Sequence, residues 1–80
     1  MYEINLCNLV RSFINSYHGW AVADQFEDTF NGESFEQQNG NALRYIKACV
    51  EDIISSNILS EEAQEELIEY REGLVIYLSK

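Results

Sequence analysis

The 80-residue chain lacks proline altogether and contains only four glycines and only five lysine and arginine residues. It shows no internal repeat, low-complexity segment or interdomain linker, so residues 1–80 are expected to form one small domain. Its apolar runs are a few residues long, far short of the roughly 20 residues that a membrane span requires. The segment Met1-Tyr2-Glu3 lacks the positive charge that begins a secretory signal. These absences predict a soluble, cytoplasmic protein.

The small number of basic residues leaves a large excess of acid. Fourteen Asp and Glu residues against five Lys and Arg residues give a formal net charge of −9. Nucleic acids and anionic membranes bind basic surfaces, so direct binding of either is not expected. The charge balance instead favours a basic protein as the partner.

Apolar residues recur with helical periodicity in the first 30 residues. The first helix is predicted over Tyr2–Tyr17, and Gly19 suits the left-handed conformation that ends a helix. A second helix is predicted over Trp20–Phe30, closed by Asn31-Gly32. The inward-facing residues of the two helices are Tyr2, Leu6, Leu9, Val10, Phe13, Tyr17, Val22, Ala23, Phe26 and Phe30.

Two more helices are predicted after a polar segment, Glu33–Gly40, which is interpreted as a loop or one short helical turn held by Phe35. Asn41 is expected to cap the third helix, and Ser60 the fourth. Their inward-facing residues are Ala42, Leu43, Ile46, Cys49, Val50, Ile53, Ala63, Leu67, Tyr70, Leu74, Tyr77 and Leu78. The predicted fold class is all-α, a compact bundle of about four short helices. The run Val75–Leu78 has β-propensity, but it continues the helical pattern that precedes it.

Reactive side chains are few and scattered. Cys7 and Cys49 are expected to be buried, reduced thiols, and a disulfide would form only if the first and third helices bring them together. His18, the only histidine, is expected at the surface near the end of the first helix. The chain has no paired zinc-ligand spacing, no recognisable nucleophile with a base, and no phosphate-binding glycine loop. We therefore predict no metal, no cofactor and no enzymatic activity.

Acidic residues are concentrated in two segments. The first, residues 24–36, contains no basic residue, and the second, residues 61–72, contains Arg71 alone. The acids expected to bind a partner are Asp24, Glu27, Asp28, Glu33, Glu36, Glu62, Glu65, Glu66, Glu69 and Glu72.

On the fourth helix, Glu61 and the five glutamates that follow it span an arc of about 140° opposite the apolar face. Six pairs of these residues lie three or four positions apart, and each pair disfavours the helix by roughly 0.2–0.5 kcal/mol. A face selected for solubility alone would more often include lysine. Ile76 lies within the arc and Ile68 at its edge, which favours a protein-recognition surface over a merely solvated face.

These observations lead to a functional hypothesis, a non-catalytic protein that inhibits a basic partner. Its concrete form is an immunity protein that neutralises a cognate bacterial nuclease toxin. One alternative is a phage-type decoy that mimics nucleic acid and blocks a defence or transcription protein. Another is a small assembly subunit or homodimer module that uses Ile68 and Ile76 as its interface. Trp20 is either a further anchor for a partner or a core residue.

Overall fold

The computed structural model describes residues 5–80, which form four α-helices and one short 3-10 turn. The helices are α1 (Leu6–His18), α2 (Trp20–Phe30), α3 (Gly40–Ser56) and α4 (Glu61–Leu78), and the turn is Phe35–Gln37. The predicted all-α bundle of about four short helices is therefore confirmed. Tyr2, predicted to begin the first helix, lies outside the described residues. No helix in the described part of the chain has the length and apolar character needed to cross a bilayer.

Gly19 alone connects α1 to α2. Its φ of +87° is a conformation that residues with a Cβ atom rarely adopt, which explains glycine at this position. The Gly19 N–H donates to the carbonyl oxygen of Asn15 (3.1 Å), and the Gly19 carbonyl accepts from the N–H of Ala23 (3.2 Å). The predicted end of the first helix is confirmed, and the residue that ends α1 also begins α2.

Asn39 caps α3, so the prediction that Asn41 is the cap is wrong by two residues. The Oδ1 atom of Asn39 accepts hydrogen bonds from the backbone N–H groups of Asn41 (2.9 Å) and Ala42 (3.2 Å). Asn39 has the extended backbone of a capping residue, and its side chain satisfies donors that the first helical turn leaves unpaired. Asn41 instead lies inside the first turn.

The connection from α3 to α4 runs from Asn57 to Ser60. Asn57 has a left-handed backbone with a φ of 57°, and its N–H donates to the carbonyl of Ile54 (3.3 Å). Gln64 of α4 donates to the same carbonyl through Nε2 (3.0 Å). Ser60 caps α4 as expected, because its Oγ accepts from the N–H of Ala63 (3.3 Å).

α3 lies at the centre of the bundle, where it packs against α1, α2 and α4. The buried core consists of Val10, Ile14, Ala23, Phe26, Leu43, Ile46, Cys49, Val50, Ile53, Leu67 and Leu74. The prediction that Tyr17 faces inward is wrong, because its side chain is 68% exposed. Tyr17 lies in the last turn of α1, where its ring packs against that of Phe13 with 5.1 Å between ring centres.

Candidate functional site

The outer face of α4 carries a continuous acidic surface, which we call the α4 acidic face. All of its glutamates are exposed, and Ile76, one helical turn beyond Glu72 on the same side of α4, is 64% exposed. Ile68 is half-buried, so it contributes less to this surface than the sequence suggested. The glutamates of the α4 acidic face are Glu61, Glu62, Glu65, Glu66, Glu69 and Glu72.

No ion pair within residues 5–80 involves these six glutamates. Arg71, the one cation in their segment, directs its Nη1 atom across to Oε2 of Glu51 on α3 (3.6 Å). Glu51 also accepts from Nζ of Lys47 (2.9 Å). Arg71 therefore pairs with α3 across the helix contact, whereas Lys47 pairs within α3, and neither neutralises a glutamate of the α4 acidic face.

A shallow groove lies beside the α4 acidic face, on the side of the helix that carries Arg71. It is an open depression of about 220 Å³ on α4, lined by Arg71, Glu72, Val75 and Ile76. Its lining is mainly apolar.

The fold gives the acidic residues of the first segment, residues 24–36, different surroundings. Asp24 accepts a hydrogen bond from Arg11 of α1, and Glu27 lies 3.7 Å from the same guanidinium group. Arg11 also lies over the ring of Trp20, 5.0 Å from its centre. Asp24 and Glu27 therefore have a basic neighbour in the folded chain, Arg11, although their own segment contains no basic residue. Asp28 is exposed and forms no ion pair among the described residues.

Phe35 holds the second half of that segment against α4. The Phe35 ring lies 5.9 Å from the ring of Tyr70 and 5.5 Å from that of Tyr77, measured between ring centres. Gly73 lies under the ring, because a Cβ atom added there would be 3.9 Å from Cε2 of Phe35. Glu33 and Glu36 are exposed and lie on either side of this Phe35 contact in the chain.

Sequence reasoning missed an exposed aromatic surface formed where α1 meets α3. His18 stacks on Tyr45 with 4.4 Å between ring centres and 10° between ring planes. Tyr17 lies beside His18, with 6.5 Å between ring centres, and Tyr45 is 48% exposed. Tyr45 flanks the apolar face of α3 in the helical pattern, and that position is the only signal in the sequence that could have indicated it. Trp20 is 60% exposed and is therefore not a core residue.

The cysteines and the histidine do not form a reactive site. Cys7 is half-buried and Cys49 is buried, and both are free thiols. Burial raises the pKa of each thiol, with further increases from Glu27 near Cys7 and from Asp52 near Cys49. No group of three or more His, Cys, Asp or Glu side chains within residues 5–80 is arranged to hold a metal ion. The raised thiol pKa values reduce the reactivity of both cysteines at neutral pH.

Comparisons of the chain with protein-family models, curated proteins and solved structures give no match. Function must therefore be inferred from the residues of the site. The feature that bears most directly on function is the α4 acidic face, with exposed Ile76 at its C-terminal end and the groove at its side.

Proposed function

We propose that this protein is a non-catalytic inhibitor that binds a basic partner protein through the α4 acidic face. The observation that carries the proposal is the combination of six exposed glutamates, unpaired within the described residues, with the exposed side chain of Ile76. Fully solvated charge gives specificity and rapid association, and an apolar anchor beside it adds binding energy. We propose that Glu33 and Glu36, which are exposed beside the Phe35 contact with α4, also bind this partner.

The spacing of the glutamates suits a partner whose usual ligand is a polyanion. Side chains three or four residues apart on a helix lie roughly 5–6 Å from each other. A row of carboxylates at that spacing can replace a row of phosphates in a basic groove. Long-range attraction between the acidic face and such a groove would also accelerate association.

The concrete form that we propose is an immunity protein that binds and neutralises a cognate bacterial nuclease toxin in the cytoplasm. A phage-type decoy of a nucleic-acid-binding defence or transcription protein would use the same surface in the same way. Gene order distinguishes these two, because an immunity gene lies directly beside its toxin gene. The groove lined by Val75 and Ile76 favours a second candidate, an assembly subunit that docks mainly through apolar contacts.

The test begins with capture of partners from the native host on immobilised protein, followed by mass spectrometry. The captured partner is then titrated with the wild-type protein and with the variant E65K/E66K/E69K/E72K. We expect the variant to remain helical by circular dichroism and to lose binding, because repulsion replaces attraction across the α4 acidic face. Undiminished binding by the folded variant would refute the proposal.

A matched pair of single substitutions separates local contacts from the effect of net charge. Glu69→Lys and Asp52→Lys change the net charge equally, and both residues are exposed on helices. Only Glu69 belongs to the α4 acidic face, so Glu69→Lys should weaken binding much more than Asp52→Lys. Added salt should weaken binding steeply if charge dominates, whereas near-independence of salt would favour the apolar assembly subunit.

A further inference from the structure

We propose that Asn31, in the turn that follows α2, is a site of spontaneous deamidation, which converts its side-chain amide to a carboxylate. In this reaction the backbone nitrogen of Gly32 attacks Cγ of Asn31 and loses its proton, while the side-chain nitrogen leaves as ammonia. Water then opens the resulting cyclic imide at either of its carbonyl carbons, which gives aspartate or isoaspartate. The net reaction consumes water, releases ammonia and requires no enzyme. Glycine after the asparagine favours it, because glycine has no Cβ atom to obstruct the attack.

The turn is open to water, and the amide that reacts is not held in place. Asn31 and Gly32 are both exposed, and no neighbouring atom lies within 4 Å of the position that a Cβ atom on Gly32 would occupy. The side chain of Asn31 forms no hydrogen bond within residues 5–80. Its amide can therefore rotate toward the nitrogen of Gly32.

Closing the imide ring requires rotation of the peptide between Asn31 and Gly32. The ψ of Asn31 is 7°, so the Gly32 nitrogen eclipses the backbone nitrogen of Asn31 rather than its Cβ atom. In the described part of the chain this peptide makes a single hydrogen bond, from the N–H of Gly32 to the carbonyl of Thr29 (3.2 Å). The bond lies at the exposed end of α2, where helices fray. Rotation of the peptide therefore breaks little structure.

The chain contains a second asparagine followed by glycine, Asn39-Gly40, which the fold protects. The Oδ1 atom of Asn39 accepts hydrogen bonds from the N–H groups of Asn41 (2.9 Å) and Ala42 (3.2 Å). The carbonyl of Asn39 accepts from the N–H of Leu43 (3.0 Å). Ring closure here would break all of these bonds and uncap α3. The two pairs have the same reacting atoms, so their difference in rate should come from the fold.

Deamidation has opposite consequences at the two positions. A carboxylate at position 31 lies at the C-terminal end of α2, where the backbone carbonyls disfavour negative charge. Glu27 and Asp28 in the last turn of α2 would repel it further. Aspartate at position 39, in contrast, is as good a helix cap as asparagine. The modification at Asn31 is therefore the one that destabilises the fold.

The experiment incubates the full chain at mildly alkaline pH, folded in buffer and unfolded in urea, and follows deamidation by mass spectrometry. Digestion after glutamate separates the two sites, because Glu33 and Glu36 lie between them. In the folded chain Asn31 should react roughly two- to thirtyfold faster than Asn39, the factor that corresponds to the about 0.5–2 kcal/mol of an asparagine cap. In urea the two rates should become similar.

An unreactive Asn31 in the folded chain, or a rate no greater than that of Asn39, would overturn the proposal. An equal preference for Asn31 in urea would also overturn it, because the flanking sequence rather than the fold would then explain the difference. The control Asn31→Gln should abolish the modified peptide, since the longer side chain forms an imide far more slowly. This inference is independent of the proposed inhibition, because deamidation is read as a change of mass and needs no partner.

A matched pair of variants tests the consequence for stability. Asn31→Asp should lower the midpoint of thermal unfolding, whereas Asn39→Asp should leave it unchanged or raise it. Circular dichroism measures both midpoints. Equal midpoints for Asn31→Asp and the wild type would show that the new carboxylate does not destabilise α2.

Discussion

The hydroxyl groups of Thr29 on α2 and Tyr70 on α4 lie 2.7 Å apart and form a hydrogen bond between the two helices. Thr29 Oγ1 also lies 3.0 Å from the carbonyl oxygen of Gln25 and 3.1 Å from that of Phe26. A threonine hydroxyl has a single proton, and a backbone carbonyl can only accept. Thr29 therefore donates to its own helix, and the Tyr70 hydroxyl donates to Thr29.

Because the Tyr70 hydroxyl donates this hydrogen bond to Thr29, removing each hydroxyl group should affect the free energy of unfolding to a different extent. Tyr70→Phe should lower the free energy of unfolding by about 1 kcal/mol, because Thr29 keeps its own acceptor. Thr29→Val should lower it by about 1–3 kcal/mol, because the Tyr70 hydroxyl is then buried without its partner. Urea denaturation of both variants measures the difference.

The double variant T29V/Y70F completes the cycle. Its loss of stability should be smaller than the sum of the two single losses, since no polar group is left without a partner. Additive losses would contradict the hydrogen bond between Thr29 and Tyr70.

Tyr70 also predicts how stability depends on alkaline pH. Burial raises the pKa of Tyr70 to about 12, although the hydrogen bond with Thr29 opposes the increase. The unfolded chain, with a tyrosine pKa of about 10, loses this proton first. The protonated Tyr70 side chain therefore makes its full contribution to the stability of the folded state below pH 10. This contribution, about 2–3 kcal/mol, is lost as the pH rises toward 12.

Urea denaturation at increasing alkaline pH measures this loss, and Tyr70→Phe provides the control. The thiols of half-buried Cys7 and buried Cys49, whose pKa values are also raised, contribute a loss of the same sign in both proteins. The wild type should therefore lose more stability than Tyr70→Phe over this range. Parallel pH profiles for the two proteins would show that Tyr70 ionises as freely in the folded state as in the unfolded chain.

The cap of α3 offers a matched pair of substitutions. Asn39→Ala removes the acceptor of two backbone N–H groups and should destabilise the protein by about 0.5–2 kcal/mol. Asn41→Ala places a strong helix former at an exposed position in the first turn and should be neutral or slightly stabilising. Thermal unfolding monitored by circular dichroism compares the variants, and a greater loss in Asn41→Ala would restore the cap predicted from sequence.

Gly73 predicts a stabilising substitution. It occupies the interior of α4, where glycine destabilises a helix by roughly 0.5–1 kcal/mol relative to alanine. The Cβ atom of Gly73→Ala would lie 3.9 Å from Cε2 of Phe35, an ordinary van der Waals distance. We expect an increase of about 0.5–1 kcal/mol in the free energy of unfolding. A decrease in urea denaturation would mean that the Phe35 ring needs closer access to the backbone of α4.

The helices could be predicted from sequence because their signals are local. Three signals all act within one or two helical turns: the helical spacing of apolar residues, the glycine after His18 and the serine at position 60. The cap of α3 was misplaced because two asparagines lie two residues apart, and backbone geometry rather than residue type decides between them. Tyr17 was misplaced because periodicity defines a direction around a helix but not where the neighbouring helix ends.

The surface could be predicted only in part. The exposure of the α4 glutamates and Ile76 follows from the helical pattern, since they lie opposite the buried residues of the same helix. The contact of Arg11 with Asp24 joins two helices, as does that of Arg71 with Glu51. Such contacts depend on how helices pack, which is a property of the whole bundle and is not encoded by spacing along one helix.

The single-residue link at Gly19 has a consequence for the order of folding. Joining α1 to α2 requires almost no chain to be closed into a loop, so the entropy lost in bringing them together is small. Their contacts are also close in sequence, which is typical of rapidly forming structure. We expect this helical hairpin to assemble first and to provide the template on which α3, and then α4, condense.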